Sequence, residues 1–213
     1  MIHGYSVNEH RIIKQDITEK FKYDQEYITN GYGSIPDKVV NMAHLRLGVL
    51  GGIIGDLKSP SILEVGYGNG AFLSVCQQSK LFSKVYGFDI NGIDVPMGCE
   101  FINDIYSKPF DIVCFFDSLE HFQNIYDIKN LKSKYVYISL PNCHNGLDDE
   151  WFTNWKHRKP NEHLWHFNKD SLSTFMTSIG YDTMFMSNIE DSIRQSSVES
   201  HNILTGMFVN ASY

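Results

Sequence analysis

A glycine-rich turn is the pattern in the sequence with the clearest chemical meaning. Residues 64–70 are Glu-Val-Gly-Tyr-Gly-Asn-Gly, and they follow an apolar run typical of a buried strand. Glycine tolerates positive φ angles, so the chain can reverse at this point and a ligand can approach its backbone. The helix predicted to follow would offer free N–H groups to a carboxylate or a phosphate. The turn therefore predicts a small-molecule binding site.

Two acidic residues follow later strands and fit the same ligand site. Asp89 ends the second predicted strand, where its carboxylate can accept hydrogen bonds from both hydroxyls of a ribose. Asp104 comes just after the short third strand, where it can receive an adenine amino group. The spacing indicates a nucleoside-containing cofactor.

Carboxylates and imidazoles occur together in two further segments. Asp117, Glu120 and His121 follow the fourth predicted strand and are candidates for acid–base chemistry on a substrate. His163 lies in an irregular, aromatic-rich segment and is the first choice among the histidines for a base near the substrate. The alternative is structural, because Glu120 and His121 could be ordinary first-turn helix residues, while Trp165 and Phe167 pack under the last helix.

Strands alternate with helices through most of the chain, which predicts a doubly wound α/β fold with a mostly parallel sheet. Seven strands are expected at 62–65, 85–89, 99–102, 111–116, 135–140, 181–186 and 203–209, and helices at 36–54, 70–82, 119–131 and 168–179. The segment 90–98 is too short for the usual crossover helix, so either that helix is lost or the third strand is misplaced.

The organisation is predicted to be a helical N-terminal extension, 1–58, followed by one α/β domain, 59–213. The extension could cap the binding site with Tyr23, Tyr27, Tyr32, His44 and Arg46, although packing is the favoured role of a single tyrosine. The loop with Glu190, Asp191 and Arg194 is expected to be solvated.

The composition excludes several functional classes. The formal net charge is −7 and no long run of Lys or Arg occurs, which disfavours nucleic acid as a partner. Four cysteines lie far apart, so neither a disulfide framework nor a zinc knuckle is indicated. No segment is long and apolar enough to span a membrane. We expect a cytoplasmic protein without membrane contact, and its oligomeric state is left open.

The chain resembles the class I S-adenosylmethionine (SAM) dependent methyltransferases through the E-V-G-Y-G-N-G turn. The resemblance continues through Gly-Phe-Asp at 87–89, Asp-Ser-Leu-Glu-His at 117–121, Ser-Leu-Pro-Asn at 139–142 and Glu-His-Leu at 162–164. It implies the Rossmann-like methyltransferase fold and SAM as the cofactor. By the same resemblance, the cofactor-binding residues would be Glu64, Gly66, Tyr67, Gly68, Gly70, Asp89, Ile90, Asp104, Ile105, Asp117 and Ser118.

The resemblance also suggests catalytic roles for His163, His121 and Glu120, on a small-molecule acceptor such as a sugar or a glycan intermediate. D-x-x-E-H resembles the E-x-x-E-H cluster of ubiquinone-type O-methyltransferases, which is associated with a divalent ion. A divalent-ion site at this segment is the less favoured alternative, and no residue is predicted to be a metal ligand.

Two other functions stay open. A SAM-binding module without catalysis would keep Glu64, Asp89 and Asp104 and serve a partner protein. An NAD(P)-dependent oxidoreductase would also use Gly-x-Gly-x-x-Ala at 66–71, but it does not need the carboxylate of Glu64 within the strand.

Overall fold

The computed structural model describes residues 2–22, 37–55, 57–194 and 202–213, and the chain forms two compact units. The first, which we name the glycine-loop unit, comprises Tyr23–Phe116 and Leu131–Val136. The second, the histidine unit, comprises Met1–Lys22, Asp117–Asn130 and Tyr137–Tyr213. The predicted capping residues Tyr23, Tyr27 and Tyr32 lie outside the described residues.

The helices and strands follow the predicted alternation along most of the described chain. The strands are β1 (Tyr5–Val7), β2 (Ile13–Gln15), β3 (Ser61–Val65), β4 (Lys84–Phe88), β5 (Glu100–Phe101), β6 (Phe110–Phe116), β7 (Ser133–Pro141), β8 (Trp165–His166), β9 (Asp182–Ser187) and β10 (Ile203–Val209). The α-helices are α1 (Asp37–Ile53), α2 (Ala71–Ser79), α3 (Asp149–Asn154), α4 (Lys169–Ser178) and α5 (Asp191–Arg194).

A seven-stranded sheet has the order β5-β4-β3-β6-β7-β10-β9. In the glycine-loop unit β4, β3 and β6 are parallel, and β5 is parallel to β4. In the histidine unit β9 is antiparallel to β10. The predicted doubly wound α/β fold with a mostly parallel seven-stranded sheet is therefore confirmed, including the helix before it.

Apolar side chains explain the central strands of the glycine-loop unit. β3 and β6 are buried along nearly their whole length, as expected for parallel strands covered on both faces. Val65 is paired with both Phe88 and Phe115, so the three strands end at one edge. The loops that follow β3 and β4 therefore begin side by side, as the carboxyl ends of parallel strands do.

The short third strand lies where the sequence predicted it. β5 pairs with β4 through Gly87 and Phe101, and the amide of Ile102 donates to the carbonyl of Gly87 at 3.0 Å. No helix is present in the described segment between β4 and β5. The crossover helix is thus replaced by turns, and the strand assignment holds.

The helix predicted over 119–131 is wrong. Two short 3₁₀ segments, Leu119–His121 and Ile125–Asn130, take its place. The first ends because Phe122 has an extended backbone, with φ −63 and ψ 137. The side chain of Asn124 then accepts from the amide of Tyr126 and donates to Asp127, and such local bonds compete with helical ones.

The histidine unit contains a small antiparallel sheet with the order β1-β2-β8. Ile13 of β2 pairs with His166 of β8. Helix α4 begins at a capping box in which Asn168 and Ser171 bond reciprocally, and this bonding fixes the start of the helix. None of the helices in the described ranges is long and apolar enough to cross a membrane.

Candidate functional site

Three glycines give the loop after β3 its shape. Gly66, Gly68 and Gly70 have φ angles of 78, 53 and 72, a conformation that other residues adopt only with strain. The amide of Gly66 donates to the carbonyl of Phe88 at 2.7 Å, and that of Gly70 donates to the carbonyl of Tyr67 at 2.9 Å. The loop therefore folds back on the end of β4 before α2 begins.

Close packing adds a second reason for glycine in this region. A Cβ atom on Gly70 would lie 2.7 Å from Cγ of Pro96. A Cβ atom on Gly87 would lie 2.7 Å from Cδ1 of Tyr67, which is buried and donates from its hydroxyl to the carbonyl of Ile93. Burial and nearby carboxylates raise the pKa of Tyr67 to about 12, so its hydroxyl stays protonated. The tyrosine thus supports the loop through its ring.

Asp89 fastens the glycine loop to the end of β4. Its Oδ2 accepts from the amide of Gly68 at 3.0 Å, and its Oδ1 accepts from the amide of Asn91 at 2.9 Å. Each carboxylate oxygen has a second lone pair, so the buried Asp89 can still accept from ligand hydroxyls. This geometry is consistent with the predicted ribose-binding role.

Glu64 is a buried carboxylate that lacks a full set of partners. Its Oε2 has no hydrogen-bond partner among the described residues, and the side chain is buried. Burial raises the pKa of Glu64 to about 8, while the cation of Arg46 lowers it and Asp89 raises it. A cationic group bound beside Glu64 would supply the missing partner, so the residue fits the ammonium of an amino-acid cofactor.

The interactions of Arg46 with Phe116 and Glu64 could not be predicted from the sequence. Its guanidinium lies 4.0 Å from the centroid of the Phe116 ring, and its charge acts on Glu64. A single arginine on a helix gives no such signal, because the partners come from distant strands. The predicted role of Arg46 in capping the site stays a prediction.

The other predicted cofactor residues in the glycine-loop unit differ in how exposed they are to solvent. Ile90 is 75% exposed, while Ile105 is buried in the turn after β5. Asp104 is exposed, and its Oδ1 accepts from the amide of Tyr106 at 2.8 Å. Their predicted adenine contacts stay predictions.

Asp117 and Ser118 belong to the histidine unit. Asp117 has a left-handed backbone with φ 50, and its Oδ2 lies 2.5 Å from Nη2 of Arg194. Arg194 also contacts the fully buried Glu190 at 3.0 Å. The prediction that the loop with Glu190, Asp191 and Arg194 is solvated is therefore wrong. The carboxylate of Asp191 also forms hydrogen bonds within the protein, because it accepts from the amides of Asn202 and Ile203.

Glu120, His121 and His163 come together in the histidine unit. The rings of His121 and His163 are 4.7 Å apart between centroids and nearly perpendicular. Oε1 of Glu120 lies 4.0 Å from Nε2 of His121. The amide of Leu164 donates to the carbonyl of Glu120 at 2.8 Å, which ties the two chain segments together. The three predicted catalytic residues therefore form one cluster.

Burial disfavours the charged form of all three groups of this cluster. Burial raises the pKa of Glu120 well above its usual value, and the charge of Asp117 raises it further. Burial also lowers the pKa of His121, and together with nearby positive charges it lowers that of His163 to about 2. Neutral imidazoles have lone pairs to offer, so the cluster can bind a cation or accept a hydrogen bond, while the lowered pKa values oppose full protonation.

The aromatic residues around this cluster divide into two groups. Trp165 is buried and donates from Nε1 to the carbonyl of Phe122 at 2.6 Å, and Phe167 is fully buried with its ring centroid 6.2 Å from that of Phe175 in α4.

Trp151 and Trp155 are only partly buried and stack with ring centroids 5.2 Å apart. His144 packs against Trp151 and His166 against Trp155, so only part of each tryptophan ring is exposed.

Comparison with solved structures supports the fold. A methyltransferase that acts on magnesium protoporphyrin IX, from Synechocystis, has a TM-score of 0.56 and 14% identity, over 91% of this chain and 90% of that chain. The plantazolicin methyltransferase BpumL has a TM-score of 0.54 and 12% identity, over 88% of this chain and 90% of that chain. A third similar structure is a chain of the complex between the Haloferax volcanii Trm112 methyltransferase activator and a methyltransferase. Its TM-score is 0.60 and its identity 11%, over 89% of this chain and 99% of that chain.

No curated protein matches the sequence. A family model described as "Methyltransferase domain" matches residues 40–184, which is more than half of the chain and includes the glycine loop, Asp89 and the Glu120–His121–His163 cluster. The nicotinamide alternative finds no support in these comparisons. The chain therefore belongs to this family of methyltransferases.

Proposed function

We propose that this SAM-dependent methyltransferase acts on a small, non-nucleic-acid acceptor, and that the glycine-loop unit holds the cofactor. The observation that carries the cofactor assignment is the buried Oε2 of Glu64, which has no hydrogen-bond partner among the described residues. It lies at the start of a loop with three left-handed glycines. A carboxylate in this position suits the ammonium of the amino-acid part of SAM.

Each residue of the loop has a separate task in this proposal. Glu64 binds the ammonium, while the positive φ angles and missing side chains of Gly66 and Gly68 let the same end of the cofactor approach the backbone. Asp89 accepts from the ribose hydroxyls and holds Gly68 in place at the same time. SAM supplies a methyl group on a sulfonium, which an acceptor displaces in line.

Charge and aromatic surface support a small acceptor. A net charge of −7 repels a phosphate backbone, and the described basic side chains near the cluster, Lys159 and Arg194, are already paired with carboxylates. The half-buried Trp151 and Trp155 suit the face of a sugar or another ring. We therefore favour a sugar or a glycan intermediate. The porphyrin acceptor named for one structural neighbour and the plantazolicin analogue bound to another are also non-nucleic-acid molecules.

Glu120, His121 and His163 are the groups proposed to act on the acceptor. A neutral imidazole can take the proton of an acceptor hydroxyl. It can instead use the same lone pair to hold a cation, and the two roles exclude each other for one nitrogen atom.

Two measurements test the proposal. Calorimetric titration should show binding of SAM and S-adenosylhomocysteine, and no binding of NAD or NADP. A screen of sugars, nucleotide sugars, aromatic acids and short peptides, with DNA and RNA as comparison, should then release S-adenosylhomocysteine only with a small acceptor. Failure to bind either sulfur nucleoside would refute the cofactor assignment. Turnover on nucleic acid would refute the acceptor class, and binding without turnover on any acceptor would favour the non-catalytic alternative.

A further inference from the structure

We propose that Glu120, His121 and His163 form a binding site for one divalent first-row transition-metal ion, of the class of Zn²⁺, Mn²⁺ or Co²⁺. Each residue offers one ligand atom, and these atoms all lie within 4.8 Å of one another. The residues come from a 3₁₀ turn and from the segment before β8, so the site is built by the fold of the histidine unit.

Two side chains of this cluster, those of Glu120 and His163, are poorly satisfied without a ligand. Glu120 is 1% exposed, and neither of its carboxylate oxygens has a hydrogen-bond partner in another described residue. His163 is 4% exposed, and its Nδ1 has no partner within the described chain. A buried carboxylate without partners is costly, and buried imidazole nitrogens normally bond to something. A cation between them satisfies these groups at once.

The spacing is close to that of a bound ion. Two atoms that bind one ion at about 2.1 Å are at most about 4.2 Å apart. Glu120 Oε1 and His121 Nε2, at 4.0 Å, already meet this limit. All ligand atoms of the cluster lie within 4.8 Å of one another, so a closure of at most about 0.6 Å by side-chain rotation brings every pair within this limit. The hydrogen bond from Leu164 to Glu120 holds the two segments ready for this closure.

The donor atoms determine the class of ion. Two imidazoles and one carboxylate favour zinc, manganese, iron or cobalt, whereas Mg²⁺ and Ca²⁺ prefer oxygen ligands. The sequence pattern D-x-x-E-H offered Asp117 as a ligand, but Arg194 occupies its carboxylate at 2.5 Å. His163, which lies outside the pattern, takes the third place.

Neighbouring charges permit a cation at this position. The carbonyl of Lys159 accepts from the amide of His163 at 3.0 Å, and Arg194 contacts Asp117, three residues before Glu120. Lys159 is paired with Glu162 at 3.0 Å, and Arg194 is paired with Asp117 and Glu190. Each positive side chain near the site therefore has at least one carboxylate beside it, and Glu120, which releases its proton when a cation binds, supplies a negative charge to the ion.

A site with three protein ligands leaves positions open for another molecule. That the open position takes the acceptor's oxygen or nitrogen atom rests on the proposed methyl transfer. The binding of the ion does not, because it uses side chains of the histidine unit alone. The two hypotheses can therefore fail separately.

The test uses the full chain, stripped with a chelator and then titrated with Co²⁺, Zn²⁺ and Mg²⁺. Visible absorption of Co²⁺ reports nitrogen ligation, and calorimetry gives stoichiometry and affinity for each ion. Glu120→Gln and His163→Asn are the test variants, because both keep the approximate shape of the side chain. Glu150→Gln and His3→Ala are matched controls at exposed positions of the same unit. Circular dichroism and thermal melting show whether each variant is folded.

We expect wild type and both controls to bind one Co²⁺ or Zn²⁺ per chain. Each test variant should lose affinity by about 100-fold or more, beyond the 10–100-fold typical of residues that only support a ligand. Equal binding by wild type and a folded Glu120→Gln variant would overturn the proposal. So would binding of Mg²⁺ in preference to Zn²⁺, or no binding of any ion. A protein that binds Zn²⁺ but neither SAM nor S-adenosylhomocysteine would support the metal site and refute the cofactor assignment.

Discussion

Nη2 of Arg194 lies 2.5 Å from Oδ2 of Asp117 and 3.0 Å from Oε2 of Glu190. Glu190 is fully buried, whereas Asp117 is partly exposed in a left-handed backbone conformation. One guanidinium thus joins helix α5 to the residue that follows β6 in the chain. Nearby carboxylates raise the pKa of Arg194 further above its usual range, although burial lowers it, so the arginine stays charged.

Replacing Arg194 with Met should destabilise the protein by about 3 kcal/mol, because the buried Glu190 loses the charge of the guanidinium at 3.0 Å. Urea unfolding followed by circular dichroism measures this change. Lys84→Met is the comparison, since Lys84 pairs with Glu100 on the surface and exposed pairs contribute little. If both substitutions lowered the free energy of unfolding by similar amounts, the buried pair would contribute no more to stability than the exposed one.

Cofactor binding should strengthen as the pH rises toward about 8. The free protein holds a proton on Glu64, whose pKa is raised to about 8 by burial, and binding an ammonium favours the carboxylate. Binding therefore releases a proton, and affinity should rise by up to about tenfold per pH unit below the pKa and then level off. Calorimetry with S-adenosylhomocysteine from pH 6 to 8.5, in buffers of different ionisation enthalpy, measures both effects.

Glu64→Gln is the control for this pH dependence, because glutamine keeps the shape and cannot titrate. It should bind weakly with little change over the same range. The sign for stability is opposite: an acid with a raised pKa in the folded state costs the free protein stability as pH rises from about 4.5 to about 8. A wild-type affinity that does not change with pH would contradict the assignment of Glu64 to the ammonium.

Gly70→Ala should destabilise the protein by about 2 kcal/mol or more. The φ angle of 72 is unfavourable for alanine, and the new Cβ would lie 2.7 Å from Cγ of Pro96. Gly51→Ala is a matched control within α1, where a Cβ meets nothing within 4 Å. This control should stabilise by about 0.5–1 kcal/mol. Urea unfolding separates the two, and a Gly70→Ala variant as stable as wild type would mean that the loop does not need this conformation.

The glycine loop and Asp89 could be predicted because their signal is local. A glycine-rich turn after an apolar strand, and an acid at the end of the next strand, are each recognisable from a few consecutive residues. The pair formed by Asp117 and Arg194 could not be predicted, since its partners are distant in sequence and each is an ordinary surface residue type. The segment 119–131 misled the prediction because its apolar spacing fits a helix, whereas the side-chain bonds of Asn124 oppose one.

The sequence indicated which residues are catalytic candidates, but neither their contact with one another nor their pKa shifts could be predicted from it. Sequence patterns identified Glu120, His121 and His163 separately, from two segments. Their meeting depends on the hydrogen bond from Leu164 to Glu120, and their pKa shifts depend on burial, neither of which is encoded in a short motif. Trp165 and Phe167 both lie in the core, as the structural alternative predicts.

Asp89→Asn should separate cofactor binding from loop stability. Asparagine can still accept from the amide of Gly68 through its side-chain oxygen but cannot also accept from the amide of Asn91, so the melting temperature should fall by less than in Asp89→Ala. The lost charge weakens the bonds to ribose hydroxyls, and affinity for S-adenosylhomocysteine should fall by about 10-fold or more, which is about 1.4 kcal/mol. Asp89→Ala should lose both properties. Asp127→Asn, at an exposed position, is the control and should bind as wild type does. If Asp89→Asn binds normally while Asp89→Ala only melts earlier, Asp89 is a structural anchor of the loop and the ribose is held elsewhere.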